Sequence, residues 1–149
     1  MDQRYSNDHV EFELPIDWYT AQSATDDAPA IFRSPDDSQR LTVSYQFYDP
    51  DIALNDIARL FDEYFKVRIR AEKSFLSDSD ELKVGDTGSN ETAIWRYFVG
   101  TERAKNRRFD GLVVAENGKL ITLYIESIEQ AAESHNELVS AVFSSVEVK

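Results

Sequence analysis

The order of periodic segments along this chain constrains its fold more than any single residue. Val10, Phe12 and Leu14 alternate with Glu11 and Glu13, the period-2 pattern of a half-buried strand that Pro15 ends. Trp18 follows in a loop, where an indole either packs over a sheet end or meets a ligand. Residues 20–29 are small and polar and read as a surface loop. Ala30-Ile31-Phe32-Arg33 reads as a short strand, and Ser34-Pro35-Asp36-Asp37-Ser38 as a turn, because Pro presets φ while Asp and Ser bond the backbone locally. Leu41, Val43, Tyr45 and Phe47 then alternate with Thr42, Ser44 and Gln46 in the cleanest strand of the chain.

A long amphipathic helix comes next. Asp49 reads as its N-cap and Pro50 as its first helical residue. Leu54, Ile57, Ala58, Phe61, Tyr64 and Phe65 share one face at spacings of three and four, and the pattern fades near Glu72-Lys73. Beyond it, Leu82 and Val84 make a weak strand broken at Gly85 and Gly88. Ala93, Trp95, Tyr97 and Val99 alternate with Ile94, Arg96 and Phe98, and apolar residues on both faces predict a central strand. Thr101 to Arg108 is a basic turn. Phe109 to Ala115 and Leu120 to Glu126 are strands joined at Asn117-Gly118, a type I′ hairpin signal. Ser127-Ile128-Glu129-Gln130 matches a capping box for a last helix, whose inner face carries Ile128, Ala131, His135, Leu138, Val142 and Val146. The expectation is an α+β fold: one antiparallel sheet of about six strands flanked by helices, in a single domain spanning 1–149, with residues 1–8 as a flexible N-terminal segment.

A chain of 149 residues with 42% apolar content buries a core without staples. It has no Cys, which excludes disulfide frameworks, thiol nucleophiles and Cys-based metal sites. Its two His, His9 and His135, lack metal-ligand spacing, and His135 reads as a packing residue. No nucleophile elbow and no phosphate-cradling Gly loop is present. Asp78, Asp80, Glu81, Asp86 and Glu91 crowd one region, but Leu82 and Lys83 stand where a calcium loop needs a ligand and a Gly. The residues therefore predict no catalytic centre, no cofactor and no metal. The starting residues carry no apolar leader, and no run is long and apolar enough to span a membrane; the expected location is the cytoplasm, or the periplasm if a signal peptide has been removed.

Net charge is −12 and uneven: residues 1–57 hold twelve acids against Arg4, Arg33 and Arg40. Such a field repels nucleic acid and attracts basic proteins. Candidate partner-binding residues are the acids Asp17, Asp26, Asp27, Asp36 and Asp37, the aromatics Trp18, Tyr19, Tyr45 and Tyr48 as anchors, and Arg103, Arg107 and Arg108 from the one basic cluster as holders of a partner carboxylate.

Phe12-Glu13-Leu14-Pro15-Ile16-Asp17-Trp18 resembles the F-x-L-P-x-x-W opening of the PsbP-like superfamily. Phe32-Arg33-Ser34-Pro35-Asp36, the long helix after Pro50, the strands from Tyr97 to Glu126 and the helix ending in Leu138-Val139-Ser140-Ala141-Val142-Phe143 fit the same pattern, so the resemblance runs from about Val10 to Val148. It implies an α/β/α sandwich, and a superfamily that includes the Ran-binding protein Mog, PsbP, DcrB-like lipoproteins and the Eag chaperones of type VI secretion implies a binding protein rather than an enzyme. Size, acidity and the absence of a catalytic constellation lead to the expectation of a bacterial immunity protein that neutralises a basic toxin. The alternatives are an Eag-type chaperone holding apolar effector helices, and a trimmed DcrB-like protein of the cell envelope.

Overall fold

The computed structural model describes residues 2–25, 28–78, 80–85 and 87–149. Strands β1 (Asp2–Ser6), β2 (Val10–Pro15), β3 (Tyr19–Gln22), β4 (Ala30–Arg33) and β5 (Gln39–Phe47) precede helix α1 (Leu54–Lys73). Then come β6 (Glu81–Val84), β7 (Gly88–Ser89), β8 (Ala93–Glu102), β9 (Arg107–Glu116) and β10 (Lys119–Ile128), helix α2 (Ala132–Ser144) and β11 (Glu147–Val148). The main sheet runs β3-β4-β5-β10-β9-β8-β6, with β7 also on β8, and every pairing is antiparallel. A small sheet, β1-β2-β11, lies apart from it.

The α+β class therefore holds, with eight strands in the main sheet rather than six. Short edge pieces account for the excess: polar β3 sits within the stretch expected to be a loop, and β6 and β7 flank Gly85. The terminal residues expected to be flexible instead form β1, paired with β2 from Asp2↔Pro15 to Ser6↔Glu11. Tyr5 tethers that strand, its ring meeting Phe32 at 4.7 Å and Phe12 at 5.1 Å between centroids.

Alternation along β8, β9 and β10 builds two cores, one on each sheet face. On one face, Phe98, Phe109, Val113 and Tyr124 meet Ile57, Phe61 and Phe65 of α1. Gly111 stands opposite Phe98 and Gly100 opposite Phe109, and each ring lies over the glycine backbone, where a Cβ would collide with it. On the other face, Leu41, Val43, Ile121, Leu123 and Ile125 pack under Val10, Phe12 and Leu14 of the small sheet and under Leu138 and Val142 of α2. Asn117 (φ 53°) and Gly118 (φ 77°) make the expected hairpin turn.

Both helix starts differ from the sequence expectation. The first helix begins at Leu54 after Ala53, and no side chain caps it. Asp49 closes a local turn instead, accepting the Asp51 N–H at 2.9 Å. The second begins after Ala131, also without a side-chain cap, because β10 runs on to Ile128 and Ser127 is drawn into the core. Among the described residues no helix is long and apolar enough to cross a membrane.

Candidate functional site

A broad opening lies on the α2 face. It is a groove of about 880 Å³ over β8 and β9. Ala93, Trp95, Tyr97, Leu112 and Val114 form its floor, and Val139, Phe143, Val146 and Val148 its wall. Alternation on β8 turns Ile94 and Phe98 toward α1 and leaves Trp95 and Tyr97 on this side, with Tyr97 46% exposed. The charged groups on the groove are Asp110, Glu116 and Glu147, all acidic. β8 is thus not the central strand expected from its apolar faces. It lies one place from the sheet edge, and its second apolar face lines the groove.

Deep beside the groove, α2 is fixed to the sheet by buried polar groups. His135 Nε2 lies 2.8 Å from Asp110 Oδ1 and its Nδ1 lies 2.7 Å from Ser127 Oγ. An ionised Asp110 only accepts, so Nε2 carries a proton, and in a neutral imidazole Nδ1 then accepts from the Ser127 hydroxyl. Ser127 Oγ in turn accepts from Gln39 Nε2 at 3.1 Å. The trio has the membership of a hydrolytic triad, but Ser127 is 1% exposed, so its oxygen has no approach to a substrate carbonyl. It acts as a latch that satisfies buried polar groups. Sequence reasoning placed His135 inside correctly and missed its partners. Their signal was a polar residue at an inward strand position, Asp110 beside Phe109 and Ser127 two places after Ile125.

On the α1 face, past the end of that helix, charged side chains converge on a second cavity, of about 400 Å³. Glu126 accepts from Arg107 Nη1 at 3.2 Å and pairs with Arg40. Arg107 Nη1 also donates to the Tyr124 hydroxyl at 2.7 Å, and that hydroxyl donates to Glu72 at 3.3 Å. Arg68 pairs with Glu72 at 3.2 Å. Burial opposes the Arg107 charge, but Tyr124, Glu126 and Glu102 outweigh it and hold its pKa above the ordinary arginine value. Burial first, and then the Glu72 charge, push the Tyr124 phenol well above its usual range.

The residues expected to form a partner surface are dispersed. Trp18 is 6% exposed and packs in the core, so it offers no anchor. Tyr45 is half-buried, and its hydroxyl accepts from Asn7 at 2.9 Å. Tyr48 is half-buried against the α1-side core. Tyr19 stays exposed, its hydroxyl donating to Asp37. Asp17 is exposed; Asp36 is spent on its own turn, accepting from the Ser38 hydroxyl and N–H and the Ser34 hydroxyl, which holds its pKa below the usual carboxylate range. Asp26 and Asp27 lie outside the described residues. In the basic cluster, Arg103 is exposed on a short 3-10 turn (Arg103–Lys105) and Arg108 is half-buried. Arg107 points into the charged cavity and is committed to Glu126 and Tyr124 rather than to a partner. Among the described residues no group of His and carboxylates is placed to hold a metal.

No family model matches the sequence, and no curated protein matches it. Solved structures do. Cyanobacterial PsbP (CyanoP) from Synechocystis sp. PCC 6803 superposes with a TM-score of 0.68 at 20% identity, over 99% of this chain and 92% of its own. LpqN of Mycobacterium tuberculosis, described as involved in cell envelope biogenesis, gives a TM-score of 0.56 at 11% identity, over 100% of this chain and 91% of its own. A Bacteroides thetaiotaomicron protein gives 0.52 at 13% identity, over 94% of this chain but 45% of its own. The chain has the PsbP-like fold.

Proposed function

We propose that this protein is a non-catalytic binding module of the cell envelope that holds an apolar segment of a protein partner in the groove over β8 and β9. The observation that carries the reading is the groove itself: an apolar floor and wall, open to solvent, whose charged lining residues among those described are all acidic. Apolar surface left open in this way marks a binding site. The acidic rim selects a segment whose flanks carry Lys or Arg, and the −12 net charge steers such a partner inward. The envelope part leans on LpqN, which shares the fold and is described as involved in cell envelope biogenesis. The immunity reading has less to stand on, because of its four aromatic anchors Trp18 lies in a core, Tyr45 and Tyr48 pack half-buried against the cores, and Tyr19 alone stays exposed.

A peptide titration tests this. The two Trp are Trp18, which is buried, and Trp95, which lines the groove, so indole emission reports the groove. An amphipathic helical peptide with Lys flanks shifts that emission to the blue, and the same peptide with Glu flanks binds at least about tenfold more weakly. Val139→Asp in the groove wall abolishes the shift. Equal binding of both peptides refutes the electrostatic part, and unchanged binding by the Val139 variant refutes the groove.

A further inference from the structure

Helix α1 covers β8, β9 and β10, and the core beneath it draws no side chain from β4 or β5. On those two strands the same sheet face is left open. Cross-strand pairing fixes what it shows: Gln46 stands opposite Leu120, Ser44 opposite Thr122 and Thr42 opposite Tyr124, with Ile31 beyond Thr42. Leu120 and Tyr124 belong to the α1-side core, so these four residues share its face. None is charged; Gln46 is exposed and the others are half-buried. One flank of α1 stands beside this floor. Tyr64 marks it, its hydroxyl 3.1 Å from Thr122 Oγ1. Leu60 and Val67, one turn to either side of Tyr64, lie on the same flank and are 54% and 59% exposed. Phe75, 74% exposed, continues the row past the helix end, on the side of Arg33 and Arg40. Apolar residues exposed singly are ordinary, but a row of them along an uncovered sheet marks an interaction surface.

We infer that this corner is a docking surface, separate from the groove, for an amphipathic helix of a partner protein that lies antiparallel to α1 with Lys or Arg in its last turn. One apolar stripe of such a helix meets Leu60, Val67 and Phe75, while the small polar side chains beside the stripe meet the Thr42 and Ser44 floor. Charge sets the direction. β5 leads through Asp49 and Asp51 into α1, so both acids stand at the end of the corner where α1 begins. They are exposed and form no ion pair among the described residues. At the other end Arg40 and Arg107 are paired with Glu126, and Arg68 with Glu72, so cations and carboxylates offset each other there. The acids therefore draw the basic end of the helix. Antiparallel alignment also sets its partly negative C-terminus beside the partly positive start of α1.

Amide shift mapping by NMR on the isotope-labelled full chain tests this. The probes are a designed helical peptide with a Leu stripe bordered by Ser and Ala and with Lys in its last turn, and the same peptide with Glu there. The Lys peptide shifts amides in 42–46 and 60–67, and the Glu peptide binds at least about tenfold more weakly. Val67→Asp abolishes those shifts, and the groove variant Val139→Asp does not. Val67 is mostly exposed, so its substitution keeps the fold. Asp51→Lys, also at an exposed position, inverts the preference between the two peptides. A nitroxide on the first residue of the Lys peptide broadens the amides of Arg33 and Arg40. The inference is overturned if neither peptide shifts 42–46, if both bind equally, if Val67→Asp changes nothing, or if the nitroxide broadens Asp49 and Asp51 instead. It is also overturned if the same amides shift with protein concentration alone, because the corner then takes a second copy of this chain.

Discussion

The two faces of the main sheet are covered differently. Helix α1 has 20 residues, about 30 Å, and seals an aromatic core in which Phe61, Phe65, Phe98, Phe109 and Tyr124 touch in series. Helix α2 has 13 residues, about 20 Å, and shares its face with the small sheet over an aliphatic core. The shorter cover leaves Trp95, Tyr97 and Leu112 open. Polar groups are also handled differently. On the α1 side the charged groups sit at the margin and surround a cavity; on the α2 side charged and polar groups lie inside the core as the Asp110–His135–Ser127 latch. One core is closed by size and the other is held by a hydrogen-bonded point beside an opening, so stability and binding can be separated by mutation.

The largest expected effect falls on the sealed face. Phe98→Ala removes a ring that contacts Phe65, Phe109 and Tyr124, and lowers unfolding free energy by about 3–5 kcal/mol, measured by urea denaturation. If the loss is under about 1 kcal/mol, the aromatic series is not the main support of that face. Next, His135→Ala leaves Asp110 and Ser127 buried without their shared partner, at a cost of about 2–4 kcal/mol. That variant also loosens α2, so amide exchange in 132–144 quickens more than in 54–73; uniform quickening contradicts a local latch.

A smaller effect is confined to alkaline pH. The Tyr124 phenol is raised in the folded state, so it contributes stability below the unfolded phenol value of about 10, and that contribution fades as pH climbs past it. Melting temperature therefore falls above about pH 10, and Tyr124→Phe flattens that limb while lowering stability at neutral pH through the loss of its bonds to Arg107 and Glu72. An identical alkaline limb in the variant refutes the assignment. The smallest effect is at the small sheet's surface, where Arg4 meets Glu11, Glu13 and Glu147 at the solvent boundary. Arg4→Ala leaves the melting curve essentially unchanged, because solvent screens such pairs. A clear drop there means that β1 holds the small sheet by charge as well as through Tyr5.

Periodicity identified the strands that carry most of the core. Val10, Phe12 and Leu14, then Leu41 and Val43, lie on the buried side as their alternation required. The Asn117-Gly118 hairpin and the α1 face of Ile57, Phe61 and Phe65 were legible for the same reason: the information is local. The helix caps at Asp49 and Ser127 were misread because each side chain found a different bond, one in a turn and one in the core. The covering of Trp18 and Tyr45 was not legible, because an aromatic looks alike in sequence whether a sheet covers it or not, while Tyr19 stays exposed.

β8 shows where local information stops. The sequence determined that both its faces are apolar, that the chain alternates into an antiparallel sheet, and that net negative charge is concentrated in residues 1–57, where bases are few. Only the tertiary structure decided that one of those faces meets α1 while the other is left beside a helix too short to cover it. Likewise, no spacing relates Arg33, Arg40, Glu72, Glu102 and Arg107, which come from four strands and a helix. Strand order and register assemble them, and these follow from how two cores are shared among all the elements at once, a global balance that no window of residues contains.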